Sequence, residues 1–188
     1  MKLSRIIAAV VIVLLFVLGV ISGYLLLYLY PDLADQLLKT LGEHIRRTIG
    51  ESFQQDLAAV IAIFMNNVRV ALVNIVGGLL VVVPVIVMMA NGVILGLVVS
   101  VSQIRGVPLY RVVLLIAPHG VLELTAMIYS AIVGVDLGVW LWSKILLRRG
   151  EAASAMAKSL LRDIIVVVAL LAAAAFVEVY ITPILGSA

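Results

Sequence analysis

Apolar runs long enough to cross a lipid bilayer fill most of this sequence, and they constrain its fold more than any other feature. Of the 188 residues, 65% are hydrophobic and 12% are charged, and the mean hydropathy is +1.29. Soluble domains are about 45–50% apolar and about 25% charged, and each spanning helix needs about 20 apolar residues. The chain is therefore predicted to be all-α: a polytopic transmembrane helical bundle with about five membrane-spanning helices plus an amphipathic interfacial helix.

The sequence divides into three parts, which together are predicted to form a single membrane domain over residues 1–188. Residues 1–30 contain an apolar run well beyond the roughly 7–15 residues of a cleaved signal peptide, which predicts a retained signal-anchor helix. In residues 31–56, apolar side chains recur every fourth residue with charged residues between them. This pattern predicts an interfacial amphipathic helix, with a solvated hairpin stem as the alternative. Residues 57–188 are predicted to form a four-helix membrane core.

The apolar run over residues 57–104 is too long for one crossing, and the distribution of Lys and Arg decides how it divides. Two crossings joined by a turn near Val82–Pro84 place seven Lys and Arg residues in the cytoplasm and five outside. One crossing leaves four inside and eight outside, against the positive-inside rule. Five crossings are therefore predicted, with a fourth helix over Pro118–Trp142 and a fifth over Asp163–Thr182. The protein is expected in the cell membrane with a cytoplasmic N-terminus and an external C-terminus.

The same composition argues against several classes of function. The formal charge of +3 is typical of membrane proteins that hold Lys and Arg at the cytoplasmic face, so no nucleic-acid partner is predicted. The sequence has no Cys, which excludes disulfides and thiolate metal ligands. The stretch from His119 to Glu123 is not the HExxH of a zinc protease, and neither a glycine-framed serine nor a P-loop occurs. The chain is predicted to be non-enzymatic, with no cofactor.

Ionisable residues inside the predicted spans are functional candidates, because each costs several kcal/mol to hold in hydrocarbon. Glu123 lies five residues from Pro118 and Glu178 five residues from Pro183, near which the two predicted helices meet the outer surface, so both are expected roughly 7 Å deep. His119 precedes Glu123 by one helical turn. Arg69, near the middle of the second helix, is expected to reach the carboxylates, because a buried guanidinium needs a counter-charge. We therefore predict that these four residues form one network.

Amide side chains complete the candidate set. Asn67 and Asn74 share a face of the second helix, from which both are expected to hydrogen-bond Asn91 on the third. The set fits a structural polar network, or a site open to the outer face that binds an ion, a lipid headgroup or a segment of a partner. His119, Glu123 and Glu178 also have the ligand types of a divalent metal site. The candidates are Asn66, Asn67, Arg69, Asn91, His119, Glu123 and Glu178.

Two further features concern helix packing. Asp136, on the inner half of the fourth helix, is expected to be a packing or interface residue. Three pairs of glycines are spaced by four and permit close helix approach in lipid. They predict either internal packing or a homodimer face: Gly19 with Gly23, Gly92 with Gly96, and Gly134 with Gly138.

Several of these residues occur together in a recognisable order. The sequence resembles the stage II sporulation protein M family over roughly residues 50–185, and the stretch from Pro118 to Leu124 is the most specific element. The other elements are Asn66-Asn67, Asn91-Gly92 with Gly96, and Glu178 ahead of Thr182-Pro183. The resemblance implies a multipass membrane protein. In endospore formers the family's namesake helps recruit cell-wall-degrading proteins to the septum, acting as a scaffold.

The resemblance implies a membrane scaffold more than a role in sporulation, because similar sequences occur in organisms that do not sporulate. The expected function is therefore a non-enzymatic scaffold in the lipid bilayer that binds other membrane or envelope proteins and itself as a homodimer. The alternative is a small transporter or channel subunit with an outer-leaflet polar site at Glu123 and Glu178. A membrane-embedded hydrolase is a third possibility. A transporter requires access to the site from both faces, whereas a scaffold requires access from one face or none.

Overall fold

The computed structural model describes residues 2–30, 32–33, 36, 39, 55–148 and 152–186. Five helices in these ranges are long and apolar enough to cross a membrane, and the described residues contain no strand. The predicted all-α class and the predicted five spans are therefore confirmed. The helices are α1 (Lys2–Leu29), α2 (Leu57–Gly77), α3 (Val82–Ile104), α4 (Leu109–Leu147), α5 (Ala153–Phe176) and the short α6 (Thr182–Gly186).

The outer surface of the bundle is apolar along the helices. Large side chains such as Ile6 and Leu14 on α1, Ile86 on α3 and Ile165 on α5 are more than half exposed. Soluble proteins rarely present such continuous apolar patches to water. In a bilayer this surface contacts lipid, while each helix satisfies its own backbone hydrogen bonds.

The predicted turn between the second and third spans is confirmed. A single 3-10 turn, Gly78–Leu80, follows α2, and Val81 then reverses the chain with a φ of 56°. This is the left-handed region, which is costly for a β-branched residue. The indole N–H of Trp142 on α4 donates to the Leu79 carbonyl at 2.8 Å. Pro84 lies in the first turn of α3, where its missing N–H leaves no intrahelical bond unmade.

The predicted start of the fourth helix is wrong. Helix α4 begins at Leu109, nine residues before Pro118, and continues past Trp142 to Leu147. Pro118 therefore lies inside the helix, where it leaves the Leu114 carbonyl without its usual amide donor. Membrane helices tolerate such prolines when neighbouring groups satisfy the freed backbone. Proline is consequently a weaker boundary signal in this chain than the sequence analysis assumed.

The predicted ends of the fifth helix are also wrong. Helix α5 begins at Ala153 rather than Asp163. Pro183 does not stop it, because a π-helical segment, Val177–Ile181, carries the chain into α6. The wider π turn changes the register of the helix around Glu178.

Two of the glycine pairs form one close crossing between α1 and α3. A Cβ added at Gly19 would meet the carbonyl oxygen of Met89, and one added at Gly96 would meet that of Val20. Contacts therefore advance in the same direction along both helices, which makes α1 and α3 parallel. The contact between α1 and α3 is the most extensive in the bundle.

The third glycine pair forms an equivalent crossing between α2 and α4. A Cβ added at Gly134 would meet the Asn74 carbonyl oxygen, and one added at Gly138 would meet the Gly78 carbonyl oxygen. Helices α2 and α4 are therefore also parallel. All three glycine pairs contact other helices of the same chain. This supports the predicted role in internal packing rather than the alternative of a homodimer face.

The predicted amphipathic helix over residues 31–56 lies outside the described residues, apart from 32–33, 36, 39 and 55–56. Residues 32–33, 36 and 39 are helical. Asp56 caps α2, because its carboxylate accepts the Ala59 backbone N–H at 2.8 Å. Such an N-cap stabilises a helix by about 1 kcal/mol.

Candidate binding site

The structure brings together three of the predicted site residues. His119 and Glu123 on α4 and Glu178 in the π segment each offer a ligand-type atom, and these atoms all lie within 4.8 Å of one another. We call these three residues the His–Glu site. All three side chains are partly buried. Two helices from distant parts of the chain thus place an imidazole and two carboxylates in one small volume.

Local irregularities in both helices position these side chains. His119 directly follows Pro118, and Glu178 lies in the π turn, a feature that often marks functional sites. The Thr182 hydroxyl lies 3.1 Å from His119 Nδ1 and donates to the Val177 carbonyl at 3.3 Å. Thr182 therefore links the imidazole of α4 to the π turn that carries Glu178.

A cavity of about 380 Å³ opens beside the site, between α3 and α4. Its walls are mainly apolar, with Phe16, Met88 and Leu95 among the lining side chains. Its polar wall contains His119, Glu123 and Asn91. Ligand pockets commonly combine apolar walls with a few placed polar groups in this way.

Arg69 does not join the predicted network. Its side chain is exposed on the surface of α2, and within the described ranges it forms no ion pair with Glu123 or Glu178. Asn67 is 6% exposed and faces the core. Position 69 lies about 200° around the helix from position 67, so the guanidinium points away from the core.

The predicted amide contacts also differ in the structure. Asn91 donates to the Val87 carbonyl of its own helix at 2.9 Å, and no described contact joins it to Asn67 or Asn74. Instead, the Asn74 side chain donates to the Ser130 hydroxyl at 2.9 Å and is completely buried. Asn66 is exposed on α2. Asn74 thus joins α2 to α4 away from the His–Glu site, and Asn91 alone among these amides lines the cavity.

A second ionic cluster was missed by the sequence analysis. The Arg5 guanidinium pairs with Asp136 at 2.5 Å and lies 3.7 Å from Asp163. Asp163 also pairs with Arg162 at 2.9 Å and accepts the Tyr129 hydroxyl at 2.9 Å. We call these five residues the Arg5 cluster. The predicted topology places the start of α1 and the inner half of α4 on the same side of the membrane. An ion pair between Arg5 and Asp136 could have been predicted from that placement.

The two clusters lie at opposite ends of the bundle. Glu123 and Asp136 are thirteen residues apart on α4, about 20 Å along the helix axis. Between them lies an apolar core that includes Ala126, Ala131 and Leu171, all fully buried. The His–Glu site is therefore separated from the Arg5 cluster by apolar core side chains, of which Met88 and Met127 also line the cavity.

The fold and the placement of ionisable residues define a multi-pass α-helical membrane protein with one polar cluster near each end of the bundle. The family model described as stage II sporulation protein M matches residues 12–183. The chain therefore belongs to the stage II sporulation protein M family. The match includes most of α1, which the sequence analysis had left outside the resemblance.

One relative and one negative result complete the comparison. An uncharacterized protein of Methanocaldococcus jannaschii is 25% identical over 170 residues, which is 90% of each chain. No solved structure matches this chain.

Proposed function

We propose that this protein is a non-enzymatic scaffold of the cell membrane, which binds partner membrane or envelope proteins at the end of the bundle that carries the His–Glu site. The observation that carries the proposal is the separation of the two polar clusters by the apolar core. A docking site needs access from one face, whereas a transport route needs a path through that core. Membership of a family whose namesake acts as a scaffold supports the same function.

The orientation we propose has the Arg5 cluster at the cytoplasmic face. The start of α1, the end of α4 and the start of α5 meet at this end of the bundle, and they bring Lys144, Arg148, Lys158 and Arg162 to it. An excess of Lys and Arg is typical of cytoplasmic segments. The His–Glu site then faces outward, where envelope proteins are accessible to it.

A transport function is the second candidate, and one contact favours it. The Asn74–Ser130 hydrogen bond lies within the apolar core, and the Asn74 Oδ1 atom has no hydrogen-bond partner in the described part of the chain. Buried amide oxygens are usually paired. Water bound at Asn74 would lie between the His–Glu site and the Arg5 cluster. Transport therefore requires that water reach the core, whereas a scaffold does not.

Photo-cross-linking in native membranes tests the scaffold. Val121 lines the cavity and is 64% exposed, and Val139 is 52% exposed on the same helix. The two positions are eighteen residues apart, or about five helical turns, and therefore share one face of α4. A benzophenone amino acid at Val121 should form a defined protein adduct, and one at Val139 should react mainly with lipid.

The adduct at Val121 should disappear when Glu123→Gln and Glu178→Gln are combined, because these changes remove the charges of the site. The same adduct pattern at both positions, or an adduct that persists without the two carboxylates, would refute partner binding at this site.

A further inference from the structure

We propose that His119, Glu123 and Glu178 bind a divalent transition-metal ion, with Zn²⁺ as the best fit. The first reason is the charge at the site. Two carboxylates share it, and no Lys or Arg of the described residues forms an ion pair with either of them. Like charges held this close in a region of low dielectric need either a counter-charge or a shared proton, and Arg69 does not supply the counter-charge.

The second reason is the orientation of His119. The single proton of the Thr182 hydroxyl is used in the bond to the Val177 carbonyl. With its proton used in this way, the hydroxyl oxygen is available to accept from His119 Nδ1–H at 3.1 Å, and in that tautomer Nε2 carries the lone pair. A metal-binding histidine almost always donates its other ring N–H to an oxygen in this way. The Thr182 contact thus matches the tautomer that a metal ligand requires.

The third reason is the match between the ligand set and the metal. One imidazole with two carboxylates suits zinc better than calcium or magnesium, which prefer oxygen ligands alone. Zinc takes these ligands at about 2.0–2.2 Å. Atoms that already lie within 4.8 Å of one another reach a shared ion through small side-chain rotations.

The bound ion would join α4 to the π segment after α5. Three protein ligands leave one position of a tetrahedral site open, and His119 and Glu123 also line the cavity. A ligand in the cavity would therefore lie next to the ion. Metal binding by the isolated protein does not depend on partner binding, so either proposal can fail without the other.

The test is a Zn²⁺ titration of the full-length protein, purified in detergent and stripped with a chelator. Isothermal calorimetry and elemental analysis in excess Mg²⁺ should give one tightly bound Zn²⁺ per chain, and Zn²⁺ should raise the melting temperature. His119→Gln should abolish binding. Thr182→Val, which keeps the shape of the side chain, should weaken affinity about 10–100-fold by removing the orienting oxygen.

The other histidine of the chain provides the matched control. His44→Gln should bind Zn²⁺ as the unaltered protein does. The proposal is wrong if the unaltered protein retains no Zn²⁺, as expected if the carboxylates share a proton instead. It is equally wrong if His119→Gln and Thr182→Val, each folded by circular dichroism, bind with unchanged affinity.

Discussion

Replacing Arg5 with methionine is expected to lower the free energy of unfolding by about 3–5 kcal/mol. Arg5 pairs with Asp136, whose side chain is 20% exposed, and approaches Asp163, whose side chain is 2% exposed. Methionine fills similar space but leaves the Asp136 carboxylate without its cation. Reversible unfolding by SDS in mixed micelles measures the loss.

Two further variants show whether the loss comes from the ion pair. Adding Asp136→Asn to Arg5→Met should restore much of the stability, because no uncompensated charge remains and the effects of paired residues are not additive. Lys158→Met is the matched control, since this side chain lies at the same end of the bundle, is exposed and forms no ion pair in the described part of the chain, and exposed charges contribute little. Equal losses for Arg5→Met and Lys158→Met would contradict a buried pair at the base of α1.

The second large effect is expected at the α2–α4 crossing. Gly134→Ala should lower the free energy of unfolding by about 1–3 kcal/mol, the usual cost of overpacking. The added methyl group would overlap the Asn74 carbonyl oxygen, which belongs to the backbone and cannot rotate away. Helices α2 and α4 would have to separate along the crossing. The same SDS unfolding measurement applies.

Gly120→Ala on the same helix is the matched control. Its added Cβ would meet only the Ile116 Cγ2 atom, at 3.2 Å, and that side chain can move. Alanine favours helix over glycine by up to about 1 kcal/mol, so Gly120→Ala should be neutral or stabilising. We expect Gly134→Ala to lower the free energy of unfolding and Gly120→Ala not to lower it. A stabilising Gly134→Ala would show that the helices are farther apart at this crossing than described.

The placement of Glu123 and Glu178 was predictable from the sequence, although the reasoning used incorrect helix ends. The two carboxylates were assigned equal depth by counting from Pro118 and Pro183, and neither proline ends its helix. The two carboxylates still lie close together, because α4 and α5 are adjacent and antiparallel. Residues at the same depth in such a pair are neighbours wherever the helices end. The lengths of the apolar runs determine the number and order of the membrane-spanning helices. The order of the helices in turn determines the approximate depth of each residue in the bilayer.

The rotation of each helix was harder to predict. Arg69 was expected inside because a charge in hydrocarbon needs a partner, but Asn67 faces the core and rotates Arg69 outward. The turn of about 100° per residue in an α-helix implies this rotation once Asn67 is placed in the core. The contact of Thr182 with His119 was also not predicted, because the sequence alone does not indicate a π turn, which depends on how α5 packs against α4.

Two-sided thiol labelling tests the central claim most directly, since the chain contains no Cys of its own. Single variants are needed at three levels: Ala117→Cys beside the His–Glu site, Ala131→Cys in the apolar core and Ser154→Cys near the start of α5. A membrane-impermeant maleimide should label Ala117→Cys only in intact cells and Ser154→Cys only in inside-out vesicles. Ala131→Cys should react in neither preparation. Labelling of Ala117→Cys or Ala131→Cys from both faces would contradict a one-sided docking site and favour transport. Labelling of Ser154→Cys in intact cells would contradict the proposed orientation of the protein in the membrane.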